Sequence, residues 1–81
     1  MTLFDAIRGA TETLSRSGIP TARLDAELLL RHILGRDRAW LLAHGNDELD
    51  AEHQPAFERL IGRRETREPI QYIVGTQEFW G

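Results

Sequence analysis

The sequence contains no cysteine and no lysine, and each absence narrows what the chain can be. Without cysteine there is neither a disulfide nor a thiolate metal site, so the fold must rest on packing. It needs no oxidising compartment, which favours the cytoplasm. No apolar run approaches the ~20 residues that would span a bilayer. The N-terminus, with an acid at Asp5, lacks the basic-then-apolar pattern of a signal peptide, and the chain reads as soluble. The seven glycines are scattered singly, mostly at helix ends, so no glycine-rich loop is available to cradle a phosphate or nucleotide. Because lysine is missing, all ten cationic side chains are arginine, whose forked donors suit carboxylates and aromatic rings as well as phosphates. The net charge of −3 lacks the cationic excess of a general nucleic-acid binder.

What is present is helical patterning over 81 residues, enough for one small domain. Thr2 with Asp5 resembles a capping box, and Leu3, Ile7, Ala10 and Leu14 then recur at helical spacing with Phe4 beside them. Gly18 can take the left-handed conformation that ends a helix, with Ile19 folding back onto Leu14 and Pro20 enforcing the break. Thr21 is placed to cap a second helix with Ala22, Ala26, Leu29 and Ile33 on one stripe and Leu24, Leu28, Leu30 and Leu34 around it. Such an apolar circumference predicts the central helix of a bundle. Glu27 and Arg31 stand in the favourable order for an intrahelical pair, and Gly35 stops the helix.

Asp37 is expected to cap a short third helix, Arg38 to His44, ended by Gly45, with Trp40, Leu41 and either Ala43 or His44 facing inward. Asn46, Asp47 and Glu48 form a polar turn. A fourth helix buries Phe57, Leu60 and Ile61; Pro55 delays its regular start to near Glu52 to Gln54, or bends it. Pro69 forces Glu68 out of the helical region, and residues 70–74 suit either a short helix or a strand. From Thr76 the pattern suggests the start of a strand whose partner lies further on, so the chain reads as the front of something longer. Paired aromatics such as Phe79 and Trp80 most often serve core or hinge packing.

Few residue groups could carry chemistry. His32, His44 and His53 fall on different predicted helices, with no two at metal-ligand spacing, and Ser15 and Ser17 look like ordinary helix-end residues. Asp25 with Glu27, and Asp50 with Glu52, do not share a helical face, so an acid/base dyad has no support. The distinctive polar feature is a row of arginines in which Arg59, Arg63 and Arg67 repeat every four residues, with Arg64 alongside. Over residues 58–68 these four arginines face Glu58, Glu65 and Glu68, a balance of +1. Dipole complementation and local ion pairs explain such a group structurally; recognition of a partner is the functional reading.

Arg63-Arg64, Glu68-Pro69-Ile70-Gln71-Tyr72-Ile73-Val74-Gly75 and Glu78-Phe79-Trp80-Gly81 together resemble the junction sequence of the HemK/PrmC family of peptide chain release factor glutamine methyltransferases. The stretch from Ala22 to Gly35 is similar to the second helix of the same proteins, and the likeness runs over the whole chain. It departs at Arg67, where the family often has glycine before the Glu-Pro pair. The resemblance implies an all-α domain of about five helices over residues 1–75. Residues 76–81 would begin a linker hairpin to a missing Rossmann-like domain that binds S-adenosylmethionine. Family members methylate the side-chain amide nitrogen of the glutamine in the Gly-Gly-Gln loop of class I release factors. Their Asn-Pro-Pro-Tyr motif and glycine-rich loop do not occur in these residues, so no cofactor binding, no metal and no turnover are expected of this segment alone. Its implied role is recognition of the release factor, with Arg63, Arg64 and Arg67 as candidate contacts, beside contact with its own methyltransferase domain. No membrane or direct nucleic-acid contact is expected. The competing hypothesis is a stand-alone helical module that binds nucleic acid or serves as a protein adaptor.

Overall fold

A computed structural model describes residues 1–75. They form five helices: α1 (Leu3–Arg16), α2 (Ala22–Leu34), α3 (Arg38–His44), α4 (Gln54–Glu65) and α5 (Ile70–Gly75). The expected linker hairpin and the Phe79-Trp80 pair lie outside the described residues. Among the described residues there is no sheet, and residues 70–74 resolve as helix. Pro69 supplies the first carbonyl of α5, which accepts from the Tyr72 amide at 3.0 Å and the Ile73 amide at 3.3 Å. No helix there is long and apolar enough to cross a membrane.

α1 starts in a complete capping box. The Thr2 hydroxyl accepts from the Asp5 amide at 3.0 Å while the Asp5 carboxylate accepts from the Thr2 amide at 3.2 Å. Arg8 clamps the same carboxylate. At the other end Gly18 takes φ +81°. Its amide donates to Ser15 O at 2.9 Å and the Ile19 amide to Leu14 O at 3.1 Å, the paired closure that satisfies the last carbonyls of a helix. Ile19 then joins Leu14 in the core.

α2 packs against each of the other four helices, as its apolar circumference predicts, and most extensively against α1. Its small Ala22 and Ala26 are buried and leave room for a close neighbour, while Leu29 and Leu30 fill the centre together with Leu14, Leu41 and Ile73. Each such leucine contributes about 1.5–3 kcal/mol through burial. Three expectations fail on this helix. Leu24 is 64% exposed rather than packed. The Thr21 hydroxyl makes no cap; it donates to the Asp25 carboxylate at 2.9 Å. Glu27 does not pair with Arg31 but is buried and accepts from Arg23 and Arg38, each at 3.2 Å.

α3 is capped by Asp37, which accepts from the Trp40 amide at 2.8 Å. Leu41 is buried, and His44 rather than exposed Ala43 completes the inner side by stacking on Trp40 at 4.2 Å between centroids. Gly45 ends the helix as expected, with a right-handed backbone. Glycine is needed there because the Phe4 ring lies on it: a Cβ would fall 2.0 Å from Phe4 Cζ. The segment after Gly45 clasps the N-terminus. Phe4 N donates to Gly45 O at 2.9 Å, Leu3 N to Asp47 O at 3.0 Å and Leu49 N to Met1 O at 2.9 Å.

α4 opens with Pro55 in its first turn, where a missing N–H leaves no intrahelical bond unmade. Phe57, Leu60 and Ile61 are buried as expected.

Candidate recognition surface

The arginine row does not form one continuous helical face. α4 stops at Glu65 with Thr66 as its cap, so Arg67 lies beyond it in a turn. That residue has φ +72°, the left-handed region that favours glycine. The departure from the family pattern noted above therefore falls on a position where the backbone demands what glycine supplies. Arg67 is held there by reaching across to the end of α1, where its Nη2 donates to Ser17 O at 2.8 Å. A cation at the last carbonyls of α1 also opposes that helix's dipole. The contact is close enough that a Cβ on Gly18 would lie 2.9 Å from the same nitrogen.

Arg63 and Arg64 are engaged differently. Arg63 Nε donates to Glu68 Oε1 at 3.0 Å and its Nη2 to Glu68 Oε2. This bidentate hold keeps the Glu68 carboxyl below the usual carboxylate range and raises the Arg63 guanidinium further. Arg64 points inward. Its Nε donates to Asp25 Oδ2 at 2.8 Å and its Nη1 to Glu68 O at 3.0 Å. With side-chain exposures of 17% and 8%, Arg64 and Asp25 form the most enclosed ion pair among those described. The pair ties the end of α4 to the start of α2. The three candidate arginines thus come together at one corner, where α1 and α4 end and α2 and α5 begin. Of the three, only Arg67 is exposed overall; Arg63 and Arg64 are partly covered. Arg59 is exposed and stands apart.

Asp25 and Glu27 are buried acids that anchor arginines, an arrangement that sequence reasoning missed. The signal was available: Asp25 sits directly beside the Ala22, Ala26 and Leu29 stripe, and an acid on a helix surrounded by neighbours needs a buried cationic partner. Which arginine provides it, thirty-nine positions away, is a tertiary fact.

The same side of α2 continues into a groove of about 340 Å³ lined by Leu28, Arg31, His32, Gly35, Arg36, Asp37 and Val74. Arg31 Nε is buried there and has no hydrogen-bond acceptor among the described residues. Arg36 lies over the Trp40 ring at 5.0 Å. No group of three or more histidine, aspartate and glutamate side chains suited to a metal ion occurs among the described residues. They also form no regular strand and no glycine-rich loop.

The sequence matches the family described as PrmC N-terminal domain over residues 5–75. It is 44% identical over 70 residues to a release factor glutamine methyltransferase of Bordetella pertussis, covering 86% of this chain and 25% of that protein. A release factor glutamine methyltransferase of Koribacter versatilis is 44% identical over 81 residues, 100% of this chain and 29% of its own length. One of Mycolicibacterium smegmatis is 47% identical over 74 residues, 91% and 26% respectively. The chain therefore spans little more than a quarter of the length of these curated relatives. No solved structure matches it.

Proposed function

Because the chain belongs to the PrmC N-terminal domain family, we propose that it is the substrate-recognition part of a longer protein-glutamine methyltransferase that acts on class I peptide chain release factors. The observation that carries this reading is the family match across α1 to α5, in residues that form a closed bundle with its own core. In this reading residues 1–75 are the recognition domain and residues 76–81 begin the link to a methyltransferase domain.

S-adenosylmethionine would supply the methyl group from that other domain; the present residues do not hold it. Their contribution is positional. An amide nitrogen is a weak nucleophile, so transfer depends on holding the glutamine side chain in line with the methyl donor. A domain that grips the release factor away from the reacting loop spends remote binding energy on that alignment. Arg67, with Arg63 beside it, offers the forward cationic contacts. Arg64, anchored by Asp25, acts by holding the corner in shape. The partner is cytoplasmic, and so is the enzyme in this reading. A net charge of −3 supports a protein partner over RNA.

Calorimetric titration of the chain with a class I release factor tests the proposal. Saturable binding is expected, weakened by Arg67→Glu, with the far-UV circular dichroism spectrum unchanged. Absence of binding by the folded wild-type chain sinks the proposal.

A further inference from the structure

We infer that the groove between the C-terminal turn of α2 and α5 docks a carboxylate-bearing, partly apolar segment of the protein substrate, with Arg31 and Arg36 taking the carboxylate and Leu28 and Val74 the apolar side chain. This rests on the reading that the domain engages a release factor, and it deepens that reading by naming the surface and the chemistry of what it grips.

Three observations support it. The first is charge. Residues 31–38 carry Arg31, Arg36 and Arg38 against Asp37, in a chain that is acidic as a whole. Glu27 engages Arg38, and Asp37 is committed to the Trp40 amide, which leaves Arg31 and Arg36 without a carboxylate among the described residues. The second is the state of Arg31. Its Nε is shielded from water and meets no acceptor among the described residues, whereas buried donors are normally satisfied. A carboxylate received by the guanidinium edge, with a small rotation of the side chain, gives it one in the bidentate geometry that arginine favours. The third is the apolar surface alongside. Leu28 and Val74 are half-buried, and Leu24 lies one turn before Leu28 on the same side of α2 and is 64% exposed. Six residues of α2, about 9 Å, separate Asp25 at the arginine corner from Arg31, so the groove extends that surface.

The mixture selects a polypeptide. Phosphates gain nothing from Leu28 and Val74, whereas an acidic side chain next to an aliphatic one uses both halves of the groove, the arginines outnumbering the Asp37 carboxylate that also lines it.

The experiment titrates the isotopically labelled chain with a class I release factor and compares the double variant Arg31→Glu, Arg36→Glu with Arg59→Glu, an exposed arginine outside the groove. Amide perturbations are expected at Leu28, Arg31, His32, Gly35 and Val74, with affinity falling about tenfold or more in the double variant and by less than about twofold in Arg59→Glu. If charge reversal unfolds the chain, Arg31→Gln with Arg36→Gln is measured instead, and the same direction is expected. Binding that survives either double variant, with perturbations elsewhere, overturns this inference and leaves the proposed function standing. A wild-type chain that does not bind the factor overturns both. Two other occupants count against the inference: the methyltransferase portion of the protein added in trans, if it fills the groove, or an RNA oligonucleotide that binds there with steep salt dependence.

Discussion

The ends of α1 and α4 adopt the same left-handed turn and solve its cost in opposite ways. After α1 the position is Gly18, at φ +81°, and no side chain is needed to hold it. After α4 it is Arg67, at φ +72°, a conformation that costs a non-glycine residue about 1–2 kcal/mol. That cost is offset by its own bond to Ser17 O and by the neighbouring pairs Arg63 with Glu68 and Arg64 with Asp25. One end is held by backbone freedom and the other by a set of charged contacts. The two touch, because the Arg67 guanidinium lies over Gly18. A helix end held by side chains is one whose stability responds to mutation, pH and salt.

The comparison breaks most sharply at Asp25. Asp25→Ala removes the acceptor for Arg64 and for Thr21, and a loss of about 3 kcal/mol is expected in denaturant unfolding. That is the lower end of the range for a split buried pair, because Arg64 keeps 17% exposure and its bond to Glu68 O. Next is Gly18→Val, expected to cost about 2 kcal/mol because a branched Cβ is forced into a left-handed turn and against Arg67. A double-mutant cycle of Gly18→Ala with Arg67→Ala sharpens the point. The alanine at 18 should cost about 0.5–1 kcal/mol less once the arginine is gone, and strict additivity would show that the two ends do not sense each other. Arg67→Gly should leave stability within about 1 kcal/mol of wild type, since relief of the turn, about 1 kcal/mol, offsets the lost hydrogen bond of similar size.

The smallest effect is the response to acid. Asp5 is held down at about 2 by the hydrogen bond from Arg8, then by those from Thr2, and Glu68 is lowered by Arg63. A carboxyl lowered by folding adds stability that is fully present above its unfolded value, near 3.8 for Asp5, and is lost as pH falls toward the folded one. Unfolding midpoints should therefore drop below about pH 4, and less steeply in Asp5→Asn and Glu68→Gln, each affecting its own helix end. Both groups are partly open to solvent, so salt should flatten the same slope.

Legibility in the sequence follows the reach of each interaction. The α1 capping box, its apolar stripe and the Gly18-Ile19 closure are each set by residues no more than five positions from their partners, and the spacing alone identifies them. The late start of α4 follows from Pro55 for the same reason. Leu24 escapes because the pattern of α2 is apolar on nearly every side, and only the placement of its neighbours decides which leucine stays wet. Gly45 ends α3 as its position suggests, but the need for glycine itself comes from Phe4, forty-one positions earlier, and not from its own turn. The arginine corner was visible as composition, but whether Arg64 faces in or out depends on Asp25, which belongs to another helix. The resemblance singled out Arg67 as a departure, and the left-handed backbone gives the reason glycine is common there.

The clasp between the first residues and the segment after Gly45 has a bearing on the order of assembly. Contacts between α1 and α2 close over a short stretch of chain and form early, whereas the ammonium of Met1 meets Glu48 across forty-seven positions and must wait for α3 to be laid down. Weakening this clasp, as in Glu48→Ala, should therefore speed unfolding far more than it slows folding.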